Sequence, residues 1–324
     1  MEQETSELLL KTSQSGDANI RKATATILGE ADNPHAQSAL IKLVKDKVWQ
    51  VREAAIYAIG EANIKEAGNL LMQVLGCDDV GSARKAILTW AVAKGEPQAA
   101  NEGSANPLGG GAKKKPAGDP WQIKKAAALT LSKLRPDIAV EPLLAAMSVD
   151  NPSAKMAAMV GLGNIRAERV ADKLVEALGD GDMNIRKVAA ATLGRLKAEE
   201  AVDGLINLLE DDKSSVRIEA VIALNHIKPP EAMGALSKTV ASDNSYEVRK
   251  TAAIALGNLK DPAAEEPLHA VLDDDNWMVR KAALDSLVNL KAVDAIEKII
   301  PMLADEQEDV SQSAAAALIR LKQL

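Results

Sequence analysis

The chain has 324 residues, a net charge of −7, no phenylalanine, one cysteine, and aromatics limited to four Trp and two Tyr. That charge argues against a protein whose main task is to hold nucleic acid, and a lone Cys77 excludes a disulfide framework and fits a reducing compartment. The first residues, MEQETSELLLKTS, lack a basic segment ahead of a long apolar run, and no stretch reaches membrane-spanning length, so the sequence reads as a soluble cytoplasmic protein.

In chain order, residues 1–14 read as a short first helix, with Leu8, Leu9 and Leu10 covering the open end of whatever follows. A repeat then begins. A basic residue recurs at Arg21, Arg52, Arg84, Lys124, Lys155, Arg186, Arg217, Arg249 and Arg280, and Ser311 holds the slot in the last copy. The steps are 31 or 32 residues, except for 40 between Arg84 and Lys124. A fixed period of this size means stacked two-helix units, each contacting only its neighbours, so length does not force a division into separate cores.

Around each anchor the apolar residues fall at helical spacing. Ile20, Val51, Ile185, Val216, Val248, Val279 and Val310 precede it, and Leu28, Ile59, Leu131, Leu193, Leu224, Leu256 and Leu287 follow seven residues later. Alanines such as Ala252, Ala253 and Ala255 lie between, which predicts a helix with one apolar face and a close neighbour. This is helix B. Gly29, Gly60, Gly163, Gly194 and Gly257 share one slot near its end, suited to close packing or to loosening a helix terminus. Helix A carries an Ala and a Leu pair, as in Ala171, Leu174, Leu178 and in Ala264, Leu268, Leu272. Asp261-Pro262 and Pro229-Pro230 fit helix starts. Asp17, Asp150, Asp182, Asp212 and Asp275 precede helix B by about one turn and are expected to cap it and to pair with a nearby anchor arginine. If each arginine bridges to an adjacent unit, its loss at Ser311 in the last copy is explained.

The text VRKxAAxALGxL, in Val248–Leu259 and Val279–Leu290, together with the AxxxLxxxL text of helix A, resembles the HEAT-like repeats of phycobilin (PBS) lyase subunits. The resemblance covers roughly residues 15–94 and 120–324. It implies an all-α fold, a right-handed α-solenoid of about ten two-helix repeats. It also implies that helix B lines the inner, concave side. The expected division is 1–94, a first set of repeats; 95–119, a Gly/Ala/Pro/Lys-rich loop or hinge; and 120–324, a second set. The 95–119 segment lacks the Leu pair of a helix A, and its Lys113, Lys114 and Lys115 could meet an acidic partner.

Signatures of chemistry are missing. The run Gly109–Lys113 lacks phosphate-loop spacing, and no serine or cysteine sits in a triad pattern with a histidine. His35, His226 and His269 lie in different copies. Deoxyhypusine hydroxylase uses such repeats to bind iron through His-Glu pairs, but these histidines precede Ala36, Ile227 and Ala270. The reading is therefore no catalytic residue, no metal and no cofactor.

One pattern points to binding. The slot three residues before the anchor opens helix B and holds Trp49, Trp121, Met183, Tyr246 and Trp277. Tyr57 sits five residues after its anchor, on what should be the same face. Lys125, Lys187, Lys250 and Lys281 directly follow theirs. Trp and Tyr are enriched at binding hot spots, and exposed apolar strips mark interaction sites. The expected function is a scaffold or adaptor that takes a partner protein or an acidic amphipathic helix in a helix-B groove. The alternatives are a phycobilin-lyase-like chromophore-protein subunit, from the resemblance, and a DNA-binding, glycosylase-type protein, which the net charge opposes.

Overall fold

A computed structural model describes residues 8–31, 34–75, 121–134, 136–149, 151–165 and 170–323. These residues form an all-α solenoid of paired helices and contain no strand. They fall into two compact units, 1–167 and 168–324. Cys77 and the 95–119 segment, with the division expected there, lie outside the described residues.

In the first unit α1 (Ala18–Glu30), α3 (Trp49–Glu61), α5 (Trp121–Leu134) and α7 (Pro152–Ile165) are B helices, and α2 (Pro34–Leu43), α4 (Gly68–Leu75) and α6 (Pro136–Met147) are A helices. In the second, α9 (Met183–Leu196), α11 (Ser214–Ile227), α13 (Tyr246–Leu259), α15 (Trp277–Leu290) and α17 (Glu308–Leu321) are B helices. Their A partners are α8 (Ala171–Glu176), α10 (Val202–Asn207), α12 (Met233–Ser242), α14 (Glu265–Ala270) and α16 (Ile296–Ile299), most of them extended by 3₁₀ turns. Pro230 and Pro262 open such turns, as their sequence context predicts, and the Asp261 carboxylate accepts the Ala263 N–H at 2.9 Å.

The core follows the periodic pattern. Val51, Val216, Val248, Val279 and Val310 are fully buried, as are Ala201, Leu205, Ala264 and Leu268 on the A side. Each buried Leu or Val contributes about 1.5–3 kcal/mol of apolar burial. Ile20 departs from the pattern at 44% exposed. Consecutive B helices touch through small residues, and this is the use of the shared glycines. A Cβ on Gly194 would lie 2.7 Å from Ala223 Cα, and one on Gly257 would lie 2.6 Å from Ser286 Cβ. Those glycines do not end the helices. Lys197, Lys228, Lys260 and Lys291 do, in the left-handed region with φ between 55 and 60°.

In the first unit, α3 packs directly on α5. Thr130 Oγ1 donates to the Ile56 carbonyl at 3.3 Å, and Lys124 Nζ reaches the Val74 and Leu75 carbonyls at the end of α4 at 3.1 and 3.3 Å. A Cβ on Gly60 would lie 3.2 Å from the small Thr130.

Candidate binding surface

Five anchor arginines, four of them forming a ladder in the second unit, each donate two parallel hydrogen bonds to an aspartate of the next copy: Arg21 to Asp46 at 2.6 and 3.0 Å, Arg186 to Asp211 at 2.6 and 2.9 Å, Arg217 to Asp243 at 2.7 and 2.8 Å. Arg249 binds Asp274 at 2.6 and 2.8 Å, and Arg280 binds Asp305 at 2.8 and 2.7 Å. The remaining guanidinium nitrogen donates to a backbone carbonyl six residues earlier, so Asp211, Asp243 and Asp274 each bind one arginine by carboxylate and another by carbonyl. The same carboxylates accept the N–H of Val48, Lys213, Ser245, Asn276 and Gln307. The pairs are largely buried and structural, and every guanidinium nitrogen of these five arginines makes a hydrogen bond within the protein.

This corrects the expected acids. Asp17 and Asp182 do cap their helices, on Asn19 and Asn184. Asp212 and Asp275 do not cap; the carboxylates just before them, Asp211 and Asp274, hold the turn and the arginine. Asp212 only supplements the pair, at 3.3 Å from Arg186. Asp150 lies outside the described residues. Burial alone would raise Asp46, Asp211 and Asp274, but the arginine and backbone hydrogen bonds outweigh it and hold them below the usual carboxylate range. Asp305 is lowered chiefly by its hydrogen bond from Arg280.

The expected binding residues divide between the units. Trp49, Tyr57, Trp121 and Lys125 belong to the first; Met183, Lys187, Tyr246, Lys250, Trp277 and Lys281 belong to the second. Met183, at 36% exposed, and Tyr57, at 44%, are open, whereas Trp49, Tyr246 and Trp277 are half-buried. Trp121 opens α5, and its side chain is outside the described set. Lys125, Lys187, Lys250 and Lys281 are half-buried, and Lys281 pairs with Asp285 at 3.1 Å, one turn on. Ile254, 44% exposed, adds an apolar residue between Lys250 and the helix end.

One residue escaped the sequence reading. Glu219, two after its anchor, occupies a slot that holds Ala54, Ala126, Val188 or Thr251 in other copies. It is half-buried, and desolvation raises its carboxyl despite the pull of Lys187 and His226. A lone acid in an otherwise small or apolar slot was the available signal.

His35 and His226 are exposed, and His269 is not. Its Nδ1 lies 3.2 Å from Lys298 Nζ, and its Nε2 is buried without a partner. Burial first, then Lys298, pushes its pKa down, so the ring is neutral near pH 7. Among the described residues no group of three His, Cys, Asp or Glu could hold a metal, and no helix is long and apolar enough to cross a membrane.

The sequence matches HEAT repeats over residues 5–92, 173–253 and 234–319, together more than half of the chain. The chain belongs to the HEAT-repeat family. A PBS lyase HEAT-like repeat is matched over 154–180. No curated protein matches the chain. Among solved structures, this HEAT-repeat chain is similar in fold to Kap95p, from a complex with RanGDP, at 16% identity and TM-score 0.60 over 98% of this chain and 46% of that one. It is similar to the YibA protein of E. coli at 17% identity and TM-score 0.56, covering 96% and 100%. The CpcE–CpcF complex of phycocyanin lyase from a Nostoc species matches at 25% identity and TM-score 0.40, over 47% of this chain and 99% of that one.

Proposed function

We propose that the protein is a non-enzymatic scaffold that binds a partner protein on the helix-B face of its second unit. The observation that carries this reading is the set of exposed Met183 and Ile254 and half-buried Tyr246 and Trp277, with Lys187 and Lys250, on helices whose anchor arginines are held by aspartates of the next copy. The apolar side chains supply contact area, and the lysines favour an acidic amphipathic helix. Ile218 takes the lysine slot in the intervening copy, and Glu219 beside it lies near enough to feel the charge of Lys187, so a matching partner brings one donor opposite it. The solenoid fold supports the reading, since stacked repeats offer long continuous surfaces. Tyr57, Trp49, Trp121 and Lys125 are proposed as a separate patch of the first unit.

The test is affinity capture from the native source with wild type and a Tyr246→Ala/Trp277→Ala/Lys250→Glu variant whose circular dichroism is unchanged. Loss of a wild-type partner supports the face; an identical set of partners rejects it. The PBS lyase HEAT-like match over 154–180 favours a second reading, a chromophore-protein subunit. Transfer of a bilin to or from a phycobiliprotein, followed by absorbance, separates the two.

A further inference from the structure

Four lysines of the second unit hold a backbone conformation that lysine rarely takes. Lys197, Lys228, Lys260 and Lys291 end α9, α11, α13 and α15 with φ between 55 and 60°, each eleven residues after its anchor. The left-handed region is easy for glycine, tolerable for asparagine and strained for other side chains. In α3 the easier choice is made, since Asn63 takes the same slot at φ 53°. Among the described residues no other non-glycine side chain has a positive φ. The second unit therefore repeats a strained lysine in four consecutive copies where asparagine would serve.

The helix ends do not account for it. A cation is favoured near a helix C-terminus, but that gain is smaller than the strain, and Arg195 obtains it inside the last turn of α9 at no such cost. Local pairing does not account for it either. All four side chains are exposed, and none makes a hydrogen bond or an ion pair among the described residues. By contrast, Lys173, Lys213, Lys238, Lys281 and Lys298 of the same unit pair with acids. The acids that follow within three residues are placed otherwise. Glu199, Glu231 and Asp294 sit in the first turns of the next A segments, and Asp261 caps Ala263.

Strain that recurs together with unpartnered charge is a mark of function. The helices α9, α11, α13 and α15 pack in succession. At about 8–10 Å between axes, their four ammonium groups form a row about 25–30 Å long on one rim of the unit. That rim lies fourteen residues, or about 20 Å along the helices, from Met183, Tyr246 and Trp277. A polypeptide in the polyproline II conformation rises about 3.1 Å per residue and returns to the same face every third residue, about 9 Å on. Carboxylates at every third position of such a segment meet successive lysines. Nucleic acid fits less well, because its phosphates are denser than the row and the acids beside the lysines repel them.

We propose that Lys197, Lys228, Lys260 and Lys291 form a docking row for an acidic, extended segment of another polypeptide, with carboxylates three residues apart. The row is distinct from the aromatic face assigned to a partner protein.

The test is fluorescence anisotropy of a labelled peptide of four Glu-Pro-Pro repeats with the full chain, at low salt and up to about 100 μM protein. Wild type is expected to bind. Replacing all four lysines by asparagine keeps the left-handed helix ends and is expected to weaken binding by about tenfold or more, with circular dichroism unchanged. Lys228→Asn/Lys260→Asn alone is expected to give an intermediate loss of about threefold. A peptide with its four glutamates in one run before eight prolines is expected to bind more weakly than the spaced one. No binding by wild type at the highest concentration overturns the proposal, and so does equal binding by the fourfold asparagine variant. Equal binding of the clustered peptide overturns the three-residue spacing. Tighter binding of a DNA duplex, lost in the same variant, overturns the choice of a polypeptide and gives the row to nucleic acid.

Discussion

Each anchor arginine meets its aspartate with both side chains largely out of water: Arg217 is 14% exposed and Asp243 6%. Removing one member strands the other charge, which costs far more than a surface pair is worth. Arg217→Met is therefore expected to lower stability by about 3 kcal/mol, read as the midpoint of urea unfolding. The double variant Arg217→Met/Asp243→Leu should recover much of that loss, since an apolar pair needs no compensation. The carboxylates of Asp46, Asp211, Asp274 and Asp305 set the acid limit. Their folded pKa values lie below the unfolded value of about 3.9, so their contribution is complete above about pH 4 and is lost as pH falls through the folded values. His269 acts separately. Its folded pKa is lowered, so the unfolded chain takes up the proton first and stability begins to fall below about pH 6.5. Melting temperature against pH should show a shallow decline near pH 6 and a steep one below about pH 4. His269→Gln should abolish only the shallow part.

At the scale of the helix, glycine and lysine occupy the positions that propensity alone would exchange. Gly194 lies inside α9, where alanine would ordinarily gain about 0.5–1 kcal/mol. Here its Cβ would meet Ala223 Cα, so Gly194→Ala should instead destabilise by about 1–3 kcal/mol through overpacking of α9 against α11. Lys228 ends α11 with φ 60°, a conformation that costs a side-chain-bearing residue about 1–2 kcal/mol. Lys228→Gly should raise stability by about 0.5–1 kcal/mol, because relief of strain outweighs the extra freedom of the unfolded chain. Thermal unfolding of the two variants, with opposite signs expected, checks both.

Across the whole molecule, stability is a sum of neighbour terms, and the second unit contains four consecutive rungs of the ladder, from Arg186 to Asp305. Residues 168–324 expressed alone are expected to fold, with helical circular dichroism and a cooperative melt. A chain without such a transition would show that the unit depends on the rest of the molecule. The repeat was legible from the sequence because period and apolar spacing repeat in nearly every copy, and Val248, Leu256 and Leu268 are buried as their spacing requires. The candidate surface was legible only in register. Tyr246 and Trp277 open their helices as read, but their half-burial, the Lys281–Asp285 pair and the desolvated Glu219 depend on neighbours a repeat away.

The sequence by itself determined that this is a solenoid of two-helix repeats, since a period of 31 or 32 residues with helical apolar spacing permits little else. Only the tertiary structure decided which aspartate each arginine holds, because adjacent acids such as Asp211 and Asp212 look equivalent in sequence and differ only in which one faces the preceding copy.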